Sequence, residues 1–501
     1  VPEDRSVRFR DLDFMFLFHP FIWPLFLIGL SLLITFLTAL DLPGQRRRRR
    51  QVRSATSGES QSSGKAKGGL PVSIRVVRNS GIFWFCAGIA TLVHALTPVP
   101  WSRPGSVIST VVGLVWMAIG RRLFRSTFPR PVIPIQPGPN GVQLAEIVTQ
   151  LTHRELAAGH VGLVVGAIAG TQEFLSGFGA VQVGGTVPPD VETLFEIGSI
   201  SKVFTSLLLA QAVDAGELNL DDRIADLLPE GWTMPEPARA ITLRHCTTHT
   251  SGLPRLPANL LSFLGGLQVL TLGSDPYRDY TEDQFRQALA TVKLNRPPGT
   301  RIEYSNFGVG LLGFVLSRRH GMDYESFVID RICRPLGMQE TVITIDERTR
   351  HRIPSKYRLT IPLGPLKYGL TSDDWRIPNS LAGAGAIRST GRDMLTFLKA
   401  NMGLISTPFD GAILRAHQEL FRDPTGMTIG MNWIRSFDDQ LAQNTIWHNG
   451  GTGGFRTYLG FTEDRQFGVF VLGNTAHAVD PLGVDLLKSF IRELGAGGRS
   501  D

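Results

Sequence analysis

The sequence predicts an α+β fold: an antiparallel sheet formed by both ends of a soluble domain, with flanking helices, an inserted and mainly helical subdomain, and N-terminal transmembrane helices ahead of it. Three observations predict it. Strand-like patterns occur at residues 161–169 and 173–180 and return only after residue 430, so the sheet joins strands distant in sequence. Helical patterns fill the interval, as an inserted helical part requires. The first 125 residues instead carry long uncharged apolar runs.

Residues 1–125 read as a membrane region. The run at 21–40, FIWPLFLIGLSLLITFLTAL, holds no charged residue, and twenty residues at helical rise span the ~30 Å hydrocarbon core. A cleaved signal peptide is the rival reading. It fits less well, because the preceding flank is charge-mixed and the run is followed by the block Arg46 to Arg50 without an A-x-A site. Residues 41–79 form a basic linker, Ser/Gly-rich over 54–70, with too few apolar side chains to offset chain entropy. Shorter apolar runs at 81–97 and 105–120, divided by Pro98, Pro100 and Pro104, suggest a hairpin in the membrane, with buried soluble helices as the alternative. The positive-inside rule places the basic loop in the cytoplasm, and two further full spans would return the chain there, so the topology stays open. An extended spacer at 126–141 follows, with five prolines between Phe128 and Gly141.

The soluble domain occupies 142–501. A helix at 143–158 leads into the first two strands. Helices then dominate to about residue 400. Strands return at 431–437, 445–448, 455–461 and 466–472, and a helix at 481–494 closes the pattern. A cleft between sheet and helical insert is the natural site.

Composition narrows the function. With 43% hydrophobic and 19% charged residues among 501, the chain buries real cores. Much of the net charge of +7 lies in the block beside the apolar run at 21–40, which suits lipid phosphates and not a nucleic acid. Cys86, Cys246 and Cys333 form no C-x-x-C pair, so neither a disulfide framework nor a thiolate metal site is implied.

Three short motifs carry chemistry. In Ser199-Ile200-Ser201-Lys202 the lysine stands one helical turn from the serine, and an apolar helix continues from Val203. Alone, this also describes a serine cap with a solvated lysine. Tyr304-Ser305-Asn306 follows the turn Pro297-Pro298-Gly299 and sets a phenol and a carboxamide on one tight turn. His448-Asn449-Gly450-Gly451 ends a strand, where glycines let a substrate lie against the backbone. Each has an ordinary structural reading; their order together is far more specific.

The set S-x-x-K, Y-S-N and H-N-G resembles the class C β-lactamase, D-Ala-D-Ala carboxypeptidase and esterase branch of the serine β-lactamase-like superfamily. The resemblance runs from about residue 142 to 494, through TLFEIGSISKVFTSLLLA, LRHCTTHTSGLP, PPGTRIEYSNFGVGLLG and HNGGTGGFRTYLGF. It implies a serine hydrolase that is acylated at Ser199 by a D-Ala peptide, a β-lactam or a small ester; joined to the membrane region it reads as a membrane-anchored enzyme with its catalytic domain expected outside the cytoplasm, the orientation left open. Lys202 is then the base, and Tyr304 the second acid/base group. Asn306, which holds Lys202 and the substrate amide, binds substrate together with His448, Gly450 and Gly451. The backbone N–H groups of Ser199 and Gly451 form the oxyanion hole. No metal or cofactor is implied; the partners are a small-molecule or peptide substrate and membrane lipid, with oligomeric state left open. A silent penicillin-binding sensor with the same fold is the alternative, though an inactive site usually loses one of Ser199, Lys202, Tyr304 and Asn306. The resemblance also makes His245 and His249 structural, not a zinc pair. The third motif departs from the family: histidine stands where β-lactamases usually carry a carboxylate-attracting lysine, and Arg456 is a possible substitute.

Overall fold

The computed structural model describes residues 140–494, apart from 262, 364–365 and 439–442. The spans expected at 21–40, 81–97 and 105–120, the linker 41–79 and the spacer up to residue 139 lie outside the described residues. Among the described residues, no helix is long and apolar enough to cross a membrane.

Helix α1 (Asn140–Ala158) begins three residues earlier than its periodicity predicts. Strands β1 (Gly162–Ala169) and β2 (Gln172–Gly179) form a hairpin whose two-residue turn needs Gly170, at φ +58°. The chain then makes β3 (Phe195–Glu196), a 3₁₀ turn at Gly198–Ile200 and α2 (Ser201–Asp214). The helical part contains α3 (Leu243–Thr247), α4 (Phe263–Leu272), α5 (Glu282–Ala290), α6 (Asn306–Arg319) and α7 (Tyr324–Val328).

A hairpin of β4 (Tyr357–Leu363) and β5 (Leu366–Thr371) interrupts the stretch expected to be helical to residue 400. Pro362 argues against a strand in sequence, but both strands of this two-stranded sheet are edges, where proline is tolerated. After β6 (Arg388–Ser389), α8 (Gly391–Asn401) and α9 (Asp410–His417), the strands resume as β7 (Phe421–Arg422), β8 (Thr428–Ile429), β9 (Ile434–Asp438), β10 (Gln443–Gly451), β11 (Arg456–Thr462) and β12 (Phe467–Gly473). Helix α10 (Asp480–Glu493) follows.

The main sheet has the order β2-β1-β12-β11-β10-β9-β8-β7 and is antiparallel throughout. Its centre joins the two ends of the domain: β1 pairs with β12 from Leu163↔Gly473 to Ala169↔Phe467. Helices cover both faces. Val164 and Ile168 of β1 enter the larger core with Phe204 of α2, Phe314 of α6 and Phe397 of α8, whereas Leu163, Val165 and Ala167 meet Ile147 of α1 and Leu486 and Phe490 of α10. Burial on both faces is why β1 reads as the unbroken apolar run GLVVGAIA and not as an alternation. Phe204 and Phe397 stack at 4.0 Å and so lock α2 to α8. Each such buried side chain contributes roughly 1.5–3 kcal/mol. α2 is buried on nearly every side, as a helix apolar all round must be, and it carries Lys202 into the centre of the domain.

Candidate active site

Ser199 lies in the 3₁₀ turn and not in the α-helix proper, which starts at Ser201. In a 3₁₀ turn, side chains three apart nearly eclipse, and Ser199 accordingly meets Lys202. Lys202 Nζ donates to Ser199 Oγ at 3.0 Å and to Ala384 O at 2.5 Å. The lysine side chain is wholly buried, and among the described residues no carboxylate pairs with it. Burial holds its pKa well below the ordinary lysine value, and the Arg255 charge adds to the effect. An amine driven toward its neutral form, in contact with a serine hydroxyl, can accept that hydroxyl's proton. Ser201 is turned away, its Oγ accepting the Ile387 N–H at 3.1 Å.

Tyr304 approaches Ser199 from the other side. Its hydroxyl neighbours Ser199, and its ring centroid stands 4.8 Å from Lys202 Nζ. Burial pushes the phenol up to about 12, so at neutral pH it holds its proton and can act as an acid. The turn that bears it is fixed at several points. Ser305 caps α6, its Oγ accepting the Gly308 N–H at 2.9 Å, while its own N–H donates to His249 Nδ1 at 3.2 Å. The Asn306 and Phe307 N–H groups donate to Arg255 O at 2.9 and 3.2 Å.

β10 extends through Gly451, three residues beyond the predicted strand end. A Cβ on Gly450 would stand 2.0 Å from Ile197 O, and one on Gly198, at φ +53°, would stand 2.6 Å from Gly451 N. These glycines let β10 lie directly against the serine turn, and Thr457 Oγ1 reinforces the contact by donating to Ile197 O at 2.8 Å. Ser199 and Gly451 thereby line one cleft together with Asn306, Thr452, Leu256 and Trp375.

One expectation needs correction. Asn306 does not hold Lys202: the amine's partners are Ser199 and Ala384, and Asn306 Oδ1 is buried without a partner among the described residues. His448 is 1% exposed, its Nδ1–H donates to Asn449 O at 2.6 Å, and burial, with the Lys202 charge adding, lowers its pKa to about 3. It is therefore neutral and presents the bare Nε2, which is buried without a partner among the described residues. Arg456 Nη1 is engaged with Thr452 O and Phe455 O at 2.7 and 2.8 Å, across the β10–β11 turn.

The motifs leave out four contributors. His249 lies 4.4 Å from the Tyr304 ring in addition to bonding Ser305, so it supports the site, whereas His245 completes the capping box of α3. Arg255 stands over Tyr304 at 5.0 Å. Ala384 acts through its carbonyl, which no side-chain motif could reveal. Trp375, in the cleft wall, is held by a buried ion pair: Glu196 Oε1 accepts from Arg388 Nη2 at 3.0 Å and from the Trp375 N–H at 3.1 Å, and Arg388 also donates to Trp375 O at 2.6 Å.

The β-lactamase family model matches residues 144–488. The D-alanyl-D-alanine-carboxypeptidase/endopeptidase AmpH of Escherichia coli K12 is 28% identical over 335 residues, 64% of this chain and 81% of that protein. A solved β-lactamase/D-alanine carboxypeptidase from Yersinia pestis, complexed with citrate, superposes with a TM-score of 0.57 at 25% identity, over 70% of this chain and 99% of its own. A class C β-lactamase structure superposes at 0.60 with 20% identity, over 72% and 99%, and supports the fold.

Proposed function

The chain belongs to the β-lactamase family, whose class C and D-Ala-D-Ala carboxypeptidase members are serine hydrolases, and from that premise we propose that it forms an acyl-enzyme at Ser199 on D-alanyl peptides, with β-lactams and small esters as alternative acyl donors. One observation carries this reading: a wholly buried lysine amine with no acidic partner among the described residues, 3.0 Å from a serine hydroxyl.

In the proposed reaction Ser199 Oγ attacks the carbonyl carbon while its proton passes to Lys202 Nζ. The oxyanion is received by the backbone N–H groups of Ser199 and Gly451, each worth about 10²- to 10³-fold in rate. Tyr304 gives its proton to the leaving nitrogen or oxygen as the tetrahedral intermediate collapses, and the Lys202 ammonium returns one to the phenolate. Water then attacks the ester, with Tyr304 and Lys202 exchanging the proton in the reverse sense. Asn306 Oδ1 and His448 Nε2, both acceptors without a partner among the described residues, suit substrate N–H groups.

The apolar runs and basic linker ahead of residue 126 support a membrane anchor, and a peptidoglycan substrate would place the catalytic domain outside the cytoplasm. Mass spectrometry after incubation with a fluorophosphonate or a penicillin tests the chemistry: an adduct on the wild type that Ser199→Ala lacks is expected, and no adduct with either reagent refutes it. Protease accessibility on intact cells tests the location, and a protected catalytic domain would refute it.

A further inference from the structure

An enzyme for acidic substrates needs a cation near its nucleophile, and the third motif supplies none. His448 is buried and neutral, and Arg456 is engaged with two carbonyls of its own turn. A cation that faces the site from the helical side comes from the loop between α3 and α4.

Arg255 is exposed, and its guanidinium carbon lies 5.0 Å from the centroid of the Tyr304 ring. Its loop is held to the start of α6 at three points, by the Asn306 and Phe307 N–H groups on Arg255 O and by Ser305 Oγ, which donates to Pro254 O at 2.8 Å. Its neighbour Leu256 lines the cleft with Ser199. Among the described residues, at least seventeen arginines form ion pairs with carboxylates and Arg255 does not. A guanidinium over an aromatic face keeps in-plane N–H groups that match a carboxylate as a bidentate pair.

We propose that Arg255 is an anion-binding subsite that takes a carboxylate of the substrate, supplying from the helical side the charge that His448 does not supply from the sheet. This rests on the hydrolase reading above. A carboxylate bound there sits about 3 Å from the guanidinium.

Two pairs of esters test it. Mono-4-nitrophenyl adipate and its carboxamide place the charge on the acyl half; 3-acetoxybenzoate and 3-acetoxybenzamide place it on the leaving half. For wild type, Arg255→Gln and Arg255→Lys, the readout is the ratio of kcat/KM for acid over amide. In at least one pair the ratio should fall about 10- to 100-fold in Arg255→Gln and recover in part in Arg255→Lys, and that pair identifies the half that carries the charge. A ratio unchanged by Arg255→Gln in both pairs overturns the proposal, even if the rates themselves fall. Calorimetric binding of the same pairs to Ser199→Ala, with and without Arg255→Gln, separates the two readings. Acid-selective binding that depends on Arg255, in a chain whose wild type hydrolyses none of the four esters, would refute the hydrolase and keep the subsite.

Discussion

Replacing Lys202 by methionine separates the lysine's protonation state from its mere presence. The unfolded chain keeps this amine protonated up to about pH 10.4. Burial depresses its pKa in the folded state. Between the depressed value and about 10.4 the unfolded state therefore holds one proton more than the folded state, so wild-type stability rises with pH across that window. Below the window both states carry the proton and this gain is absent; above it both are neutral and the gain is complete. Inside that window the slope for one proton is about 1.4 kcal/mol per pH unit. Methionine fills the same space without a proton, so Lys202→Met should lose that slope. Urea unfolding of both proteins at several pH values gives the difference directly. The buried thiols Cys246 and Cys333, both pushed up by burial, oppose stability on the alkaline side equally in the two proteins and cancel. Acylation by a fluorophosphonate should fall about 10²- to 10⁴-fold. Equal slopes in wild type and variant would mean that the folded protein keeps Lys202 charged, and such a lysine could not be the base.

Gly450→Ala would set a methyl 2.0 Å from Ile197 O, so β10 must move away from the serine turn; kcat should fall at least about 10²-fold with a stability loss of roughly 1–3 kcal/mol, read by ester hydrolysis and thermal melting. Arg255→Gln removes a charge that lowers the Lys202 pKa, so the acid limb of the kcat/KM profile for a neutral ester should move to higher pH; a shift to lower pH would contradict the coupling. Arg388→Met leaves the Glu196 carboxylate buried without its cation, and a loss of about 3–5 kcal/mol is expected in urea unfolding. Tyr304→Phe should cut acylation about 10²- to 10⁴-fold while leaving the cap that Ser305 provides to α6 in place, so circular dichroism should be unaltered.

Much of the sheet was legible because its central strands β1, β11 and β12 are buried on both faces and read as apolar runs with clear turn residues. The hairpin at 357–371 was not, since Pro362 and a short pattern hide two edge strands paired only with each other. In the site, Ser199, Lys202, Tyr304, Asn306 and Gly451 were legible as motif positions, and the fold gathers them. What the side chains do there was less so. The carbonyl of Ala384 takes the bond assigned to Asn306, and a backbone oxygen carries no residue identity. Arg255 reads as an ordinary loop cation until α6 is seen to clamp its backbone. The state of His448 depends on burial from several elements, which local sequence does not encode.

The sheet order that seats β1 beside β12 also dictates when this chain can become active. Gly451 reaches the serine turn only on β10, and β10 is tied to the N-terminal hairpin through β11 and β12, the last strands of the domain. A ribosome that has produced the nucleophile, its lysine and the whole helical insert has not yet produced half of the proposed oxyanion hole. Catalytic competence therefore arrives late and all at once, so hydrolysis by a chain that ends before β10 is not expected, and the appearance of activity during refolding would time the closure of the sheet.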